Sequence, residues 1–540
     1  LRAHRSHNLK ARIFALAGIS LLLGSFGLGN ASAAPFAVGV SGAKNAPTLP
    51  NSCKQLASST SEISQLMASA ASLPSASSYD ALGQAFAQQN SLPCAVAAYE
   101  VALDFDPRMW RTRYALAVTL LPLDDSNRAV KELHMVLEQA PDYFLAHNGL
   151  GLALENLGNL EGAREEYEKA VEIDPNFALG YYNLAHVASE EKRFEAAVFY
   201  SQKAVKLDPA EPTYQLGLGI VYSEDGKFQK AIEVLQKLAA SHPDFVEAYL
   251  DLGAAYSQEK RFPDAVRSYR QAIDLDPENP QILLLLGTAL LANSQQEEAL
   301  SVFKRCVARE PQDFQGYYGL GRAYKELAQY QDAASALETA SRLNRNDYEV
   351  RYNLGVVLTH LAKFQEAAQQ LEAAEKINPT GADVHYQLAG VLRKLNDQDG
   401  ASAELKAFEA LKVRDQEKMQ SVQYYNKGGE FLTAGDCRQA AEQFRRALQL
   451  DPDNARLHYN LSLALSGLGD HEGQRQELER AIQLDSNLAP AYYHLAQIYI
   501  AQGAPGPARQ ALKTALAIDP QFAAAQQSLS SLQENGKRSE

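Results

Sequence analysis

The chain repeats itself every thirty-four residues. Pro107, Pro141, Pro175, Pro209, Pro243, Pro277 and Pro311 stand at that interval, often after Asp. Counting back from each, a small residue lies twenty-four positions earlier and Ala twelve, and from all but Pro209 a large residue lies twenty-one and eight positions earlier; before Pro277 these are Gly253, Ala265, Tyr256 and Tyr269. A period of this length marks stacked supersecondary units that cannot bury their apolar faces singly. From Val246 to Gln258, Tyr249, Leu252, Gly253 and Tyr256 recur at helical spacing, and from Pro263 to Leu275 so do Ala265, Val266, Tyr269 and Ile273. Each period therefore reads as a helical hairpin. Gly253 and Ala265 lack bulk where the helices approach most closely, the large residues fill the space around them, and Pro277 cannot continue the second helix.

This pattern of Leu-Gly, Tyr, Ala, aromatic and Pro positions resembles the tetratricopeptide repeat family. The resemblance implies an all-α, right-handed superhelical solenoid of about thirteen helix-turn-helix units with terminal capping helices. In the family's frame the first unit is Ala76 to Met109, with Tyr79, Leu82, Gly83, Phe86, Ala95, Tyr99, Ala102 and Pro107 in register. Units one to ten occupy 76–415, and Pro452 restores the phase for units eleven to thirteen over 421–522. Residues 416–420 are an insertion read as a hinge between two blocks. Residues 53–75 form an N-terminal capping helix, and 523–540 a C-terminal capping helix and tail. Some units depart from the pattern: Arg345 replaces Pro in the eighth, Ser486 and Gln474 replace Pro and Ala in the twelfth, and no Pro lies near Val413 in the tenth. There Ala401 to Met419 is rich in helix formers without a breaker, which predicts an overlong helix.

The first thirty-three residues differ in kind. Arg2, Arg5, Lys10 and Arg12 precede an apolar run from Ile13 to Leu28, and Ala31-Ser32-Ala33 follows, the pattern of a cleavable secretory signal over 1–33. An uncleaved membrane anchor is the alternative, but the run is short and contains Gly18, Gly24 and Gly27. The expectation is an exported chain, periplasmic or secreted. Residues 34–52, rich in Pro, Gly, Ser and Ala, read as a flexible linker. Removing the signal takes four cationic side chains and no carboxylate, so the formal charge goes from −14 to −18. Such acidity, without basic stripes, argues against nucleic acid as a partner. After signal removal no segment is long and apolar enough to be a transmembrane helix.

Of four cysteines, Cys306 replaces the inward Ala272 or Ala340 of other units and reads as core, while Cys437 falls in a turn as a free thiol. Cys53 begins the helical stretch to Ser72 and Cys94 lies in the first unit's turn. An oxidising location permits a disulfide between them, and two free thiols are the alternative.

Catalytic patterns are missing. His471-Glu472 has no second His four residues after the first, zinc-type Cys pairs do not occur, and Gly219 and Gly321, in apparent Gly-rich loops, occupy the small packing position of the repeat. The reading is no enzyme, no metal and no cofactor.

What remains is surface. In the family, the fifth position of each unit points into the concave wall. Here it carries Tyr114, Tyr182, Tyr318, Tyr352, Tyr386, Tyr425, Tyr459 and Tyr493, with Leu216, Leu250 and Leu284 in the middle. Tyrosine suits recognition of a peptide or a sugar face, though it is also common there in the family. Units eight to ten add Arg322, Lys325, His360, Arg393 and Lys394, whereas units three to six put Glu155, Glu190, Glu224 and Glu247 on that wall. A basic patch in an acidic protein can receive a carboxylate-bearing segment; the alternative is a solvated face on which Lys325 pairs with Glu326. The family's carboxylate clamp needs Lys at position five, which no unit has. The candidate ligand groove is thus Tyr318, Arg322, Lys325, Tyr352, His360, Tyr386, Arg393 and Lys394. The expected function is a non-enzymatic envelope scaffold binding a protein or peptide segment; glycan binding in polysaccharide export, or an accessory role to an enzyme on another chain, are the alternatives.

Overall fold

A computed structural model of the chain describes residues 49–56 and 61–538. The expected signal, and most of the expected linker, lie outside them. Among the described residues there are 28 α-helices, a short 3-10 turn at Leu121–Leu123, and no strand. First helices of the hairpins begin at Ala76, Trp110, Phe144, Ala178, Pro212, Val246, Pro280, Phe314, Tyr348 and Ala382, thirty-four residues apart, and again at Ala455 and Ala489. The packing divides into two compact bodies, one ending at Val221 and one beginning at Tyr222, and not at the insertion. In the first body, successive helices from Ala76–Gln88 to Phe194–Leu207 pack each on the next; in the second, those from Phe228–Ser241 to Ala523–Arg538 do the same.

Three local devices make each hairpin. First, the small position meets the large one: a β-carbon on Gly253 would stand 2.6 Å from the Tyr269 ring, and one on Gly355 2.6 Å from Leu371. Only hydrogen fits there without displacing the neighbour. Second, counting each unit from the start of its first helix, residue fifteen is left-handed in all thirteen units. Gly158, Gly226, Gly435, Gly469 and Gly503 take this conformation without strain, whereas Ala328 and Ala362, among eight others, carry a β-carbon into it. Third, five units share a latch between residues four and twenty-three. Arg113, His147, Arg351, His385 and His458 each bond the side chain of Glu132, Glu166, Gln370, Glu404 or Glu477 in the second helix. Each also bonds the carbonyl six residues earlier, of Pro107, Pro141, Arg345, Pro379 or Pro452. The missing Pro at Arg345 is harmless for this reason: the latch uses its carbonyl, not its ring.

Three features differ from expectation. Residues 416–420 are not a break, because Gln398–Thr433 is one continuous 36-residue helix, serving as second helix of unit ten and first helix of unit eleven. With neither Gly nor Pro between Ala401 and Gly428, nothing in the backbone interrupts it. The described helical stretches of the N-terminal cap are Asn51–Leu56 and Ser61–Ser72, so the cap starts inside the expected linker. Cys53 and Cys94 are joined, with Cα atoms 5.5 Å apart and both residues buried. Cys94 lies within the helix Leu92–Phe105 and Cys437 begins the helix Cys437–Leu450, rather than either sitting in a turn. Cys306 is core, and neither Cys306 nor Cys437 is in a disulfide.

Candidate functional site

The helix Phe314–Glu326 places Tyr318, Arg322 and Lys325 at three- and four-residue spacing, which puts them on one face. The Lys325 ammonium donates to the Asn353 amide oxygen at 2.7 Å, and lies 3.8 Å from Glu326. The expected Glu326 pairing is thus secondary to an unexpected partner. Asn353 in turn donates to its own helix, at Glu349 O, 2.9 Å away, and more weakly to the Tyr318 hydroxyl at 3.4 Å. The Arg322 guanidinium sits 5.7 Å from the centre of the Tyr318 ring. On the neighbouring helix Tyr348 and Tyr352 stack with centroids 6.0 Å apart. Tyr386 is 56 % exposed and tilts against Phe408 at 5.4 Å.

Electrostatics follow from half-burial. Desolvation lowers the Lys325 pKa, Arg322 pushes the same way, and Glu326 opposes both. Burial raises Tyr318, against the pull of Arg322, and burial with Glu349, Tyr352 and Asp383 pushes Tyr348 up to about 12. All these hydroxyls are neutral donors at physiological pH. Among the described residues no carboxylate pairs with Arg322, Arg393 or Lys394, and the last two are exposed. The chemistry on offer is hydrogen bonding, charge and ring stacking.

Not every expected wall residue belongs here. His360 is stacked flat on Tyr330 at 4.4 Å, on the second helix of unit eight, and not on the Tyr318 cluster. Tyr114 and Tyr182, each 2 % exposed, are core residues, as are Leu216 and Leu284. Units three and four use their polar side chains internally. Glu155 accepts from Tyr167 at 2.8 Å and meets His186 Nδ1 at 2.6 Å, and Asn183 donates to the buried Asn148 at 2.9 Å. Sequence reading missed Asn353 as a working residue although the Tyr-Asn pairs were visible. Asn183, Asn353 and Asn460 each reach the residue thirty-five earlier, on the preceding first helix: Asn148, Tyr318 and Tyr425.

Glu375, His385 and Glu404 bring ligand-type atoms within 4.8 Å of one another. Both His385 nitrogens are already engaged, however, Nδ1 at 2.6 Å from Glu404 and Nε2 at 3.1 Å from the Pro379 carbonyl, so the cluster is a latch and does not fit a metal. A cavity of about 230 Å³ opens beside Tyr249 and Ser268, the latch positions of unit six, with Gln236, Asp264 and Gln271 also in its wall.

Tetratricopeptide repeat models match residues 250–314, 318–382 and 425–489, then 156–189, and further 188–256, 222–269 and 469–532, together more than half of the chain. A chain of the APC/C hetero-tetramer Cut9-Hcn1 is 16 % identical, over 88 % of this chain and 99 % of its own, with TM-score 0.34. A tetratricopeptide repeat protein from Parabacteroides merdae is 17 % identical over 46 % and 98 %, with TM-score 0.38. MamA is 23 % identical over 31 % and 96 %, with TM-score 0.29. No curated protein matches.

Proposed function

We infer, because this chain belongs to the tetratricopeptide repeat family, that it is a protein-interaction scaffold, and we propose where it binds. A protein or peptide segment lies along the first helices of units eight to ten. One observation carries this reading: among the described residues Arg322, Arg393 and Lys394 have no carboxylate partner, in an acidic chain, with Arg322 near the half-buried Tyr318 ring and the exposed Tyr386 on the same helix as Arg393 and Lys394. Lys325 is held by neutral Asn353 rather than by a neighbouring acid, so its charge is available to an incoming carboxylate. No catalytic family is among the matches, and the role assigned is binding.

The location we propose is the periplasm or cell envelope. The signal-like residues 1–33 support it, and the Cys53–Cys94 bond suits an oxidising compartment. Intact mass of the isolated chain tests export: loss of residues 1–33 is expected, and a retained segment contradicts cleavage. For binding, a photoreactive residue at Tyr352 crosslinks the native partner in cells, and a variant with Ser at Arg322, Lys325, Arg393 and Lys394 is compared with it. Crosslinking should fall at least about tenfold while the fold is unchanged, since each lost charged hydrogen bond is worth roughly 1.5–3 kcal/mol. Undiminished crosslinking removes this face from the proposal. A glycan as the only crosslinked species would favour the carbohydrate reading, for which the exposed Tyr386 ring offers a stacking face.

A further inference from the structure

Unit ten ends, and unit eleven begins, unlike any other unit. Position twenty-seven is Ala, Val136, Leu238 or Cys306 elsewhere and is at most 1 % exposed; in unit ten it is Phe408, only half-buried. Position seven is Leu in twelve units, and in unit eleven it is Lys427, exposed, as is Gln423 at position three, which is buried in every other unit after the first. A polar face here is how a stack begins. Because Gln398–Thr433 runs straight through, no first helix folds back over the end of unit ten, and residues 412–420 are exposed on every side. Leu405, Phe408, Lys412, Asp415, Met419 and Val422 recur at alternating three- and four-residue spacing, the a and d positions of a coiled-coil seam. Met419 is 65 % and Val422 57 % exposed.

The charges in this seam select its occupant. Parallel pairing of two such helices would set Lys412 on Lys412 and Asp415 on Asp415. Antiparallel pairing about a two-fold axis between Val413 and Arg414 stacks Leu405 on Val422, Phe408 on Met419, and Lys412 on Asp415, each pair formed twice. Among the described residues neither Lys412 nor Asp415 makes an ion pair within the chain, although Lys412 lies 6.0 Å from the Phe408 ring. We propose that a second copy of this chain docks here, its helix antiparallel along residues 405–422, covering the end of unit ten that its own unit eleven leaves open.

Sedimentation velocity of the full-length chain over a concentration series tests this directly. A monomer–dimer equilibrium is expected. Asp415→Lys, which sets cation against cation, and Met419→Lys should each raise the dissociation constant at least about tenfold. Both sites are exposed, so neither change threatens the fold. Lys412→Asp combined with Asp415→Lys restores the pairing and should return the constant to within about threefold of the parent. A chain that stays monomeric throughout, a dimer indifferent to Asp415→Lys, or a double exchange that fails to rescue would each overturn the proposal. Tyr352 lies outside the 405–422 seam, so its crosslinking is expected to persist in the Asp415→Lys variant, although the two faces adjoin where Tyr386 tilts against Phe408.

Discussion

Position twelve of the first helix holds Glu155 in unit three and Lys325 in unit eight, and the two residues have opposite fates. Glu155 is enclosed by His186 and the fully buried Tyr167, and beside it Asn148 and Asn183 bond to one another. Lys325 reaches only neutral Asn353 and a distant Glu326, with Arg322 one turn away. The same scaffold position therefore serves cohesion in one body and, in the binding face we propose, recognition in the other. The difference lies in whether the polar groups find partners within the chain: a satisfied buried group stabilises, and a group left with capacity binds something else.

Three measurements bear on this contrast, the largest effect first. Glu155→Ala leaves the Tyr167 hydroxyl buried without its acceptor, so amide exchange over 144–190 should show local opening easier by about 2–4 kcal/mol. Lys325→Ala at the equivalent position should shift exchange over 314–360 by less than about 1 kcal/mol. Equal effects at the two sites would erase the distinction.

The second measurement uses pH, because both regions share the latch. In His147, His385 and His458 burial favours the neutral ring, but the bonds to Glu166, Glu404 and Glu477 and to the Pro141, Pro379 and Pro452 carbonyls outweigh it, and each pKa is raised. Around these rings Lys169 and Arg480 oppose protonation, while Glu375 favours it. A raised histidine adds stability fully present below its unfolded value of about 6.5 and lost as pH rises through the folded one. Glu166 runs the other way: its lowered pKa, set by His147 and Lys169 against burial, adds stability that disappears only as pH falls through that lowered value. Thermal unfolding should thus weaken above neutrality by roughly 1 kcal/mol per latch. Replacing the three histidines by Gln, which donates to the same carbonyl at Gln215 and Gln526, should flatten that slope. A parallel slope in the triple variant counts against the latch. Losses confined to one body would show that the latch, and not the first-helix face, distinguishes them.

The smallest effect concerns the backbone. Gly158 already relieves the left-handed turn of unit three, whereas Ala328 and Ala362 in units eight and nine do not have that freedom. Ala362→Gly should stabilise by about 0.5–1 kcal/mol, read as a rise in Tm, without altering crosslinking at Tyr352. A fall in Tm would show that the turn carries no strain worth relieving.

Much of the hairpin was legible because its cause is local. Gly253 against Tyr269, Ala265 and Pro277 recur in phase, and steric fit between two neighbouring helices leaves a period in the sequence. The binding face was legible only in part. Tyr318, Arg322 and Lys325 follow from helical spacing, yet their partner Asn353 lies twenty-eight residues from Lys325, and His360 was misplaced because ring stacking on Tyr330 depends on how two units pack. Tyr114 and Tyr352 occupy the same repeat position, and nothing in that position tells a core ring from a half-exposed one.

The amino-acid sequence alone determined the period, the helix pairs and the family, since each rests on contacts that every unit repeats with its neighbour. Tertiary structure alone decided which polar residues are already satisfied, that the overlong helix expected in unit ten runs through 416–420 into unit eleven without a break, and which faces are left uncovered. Those outcomes depend on distances between side chains far apart in the chain, and a repeating pattern, being the same in every copy, does not encode the differences between copies.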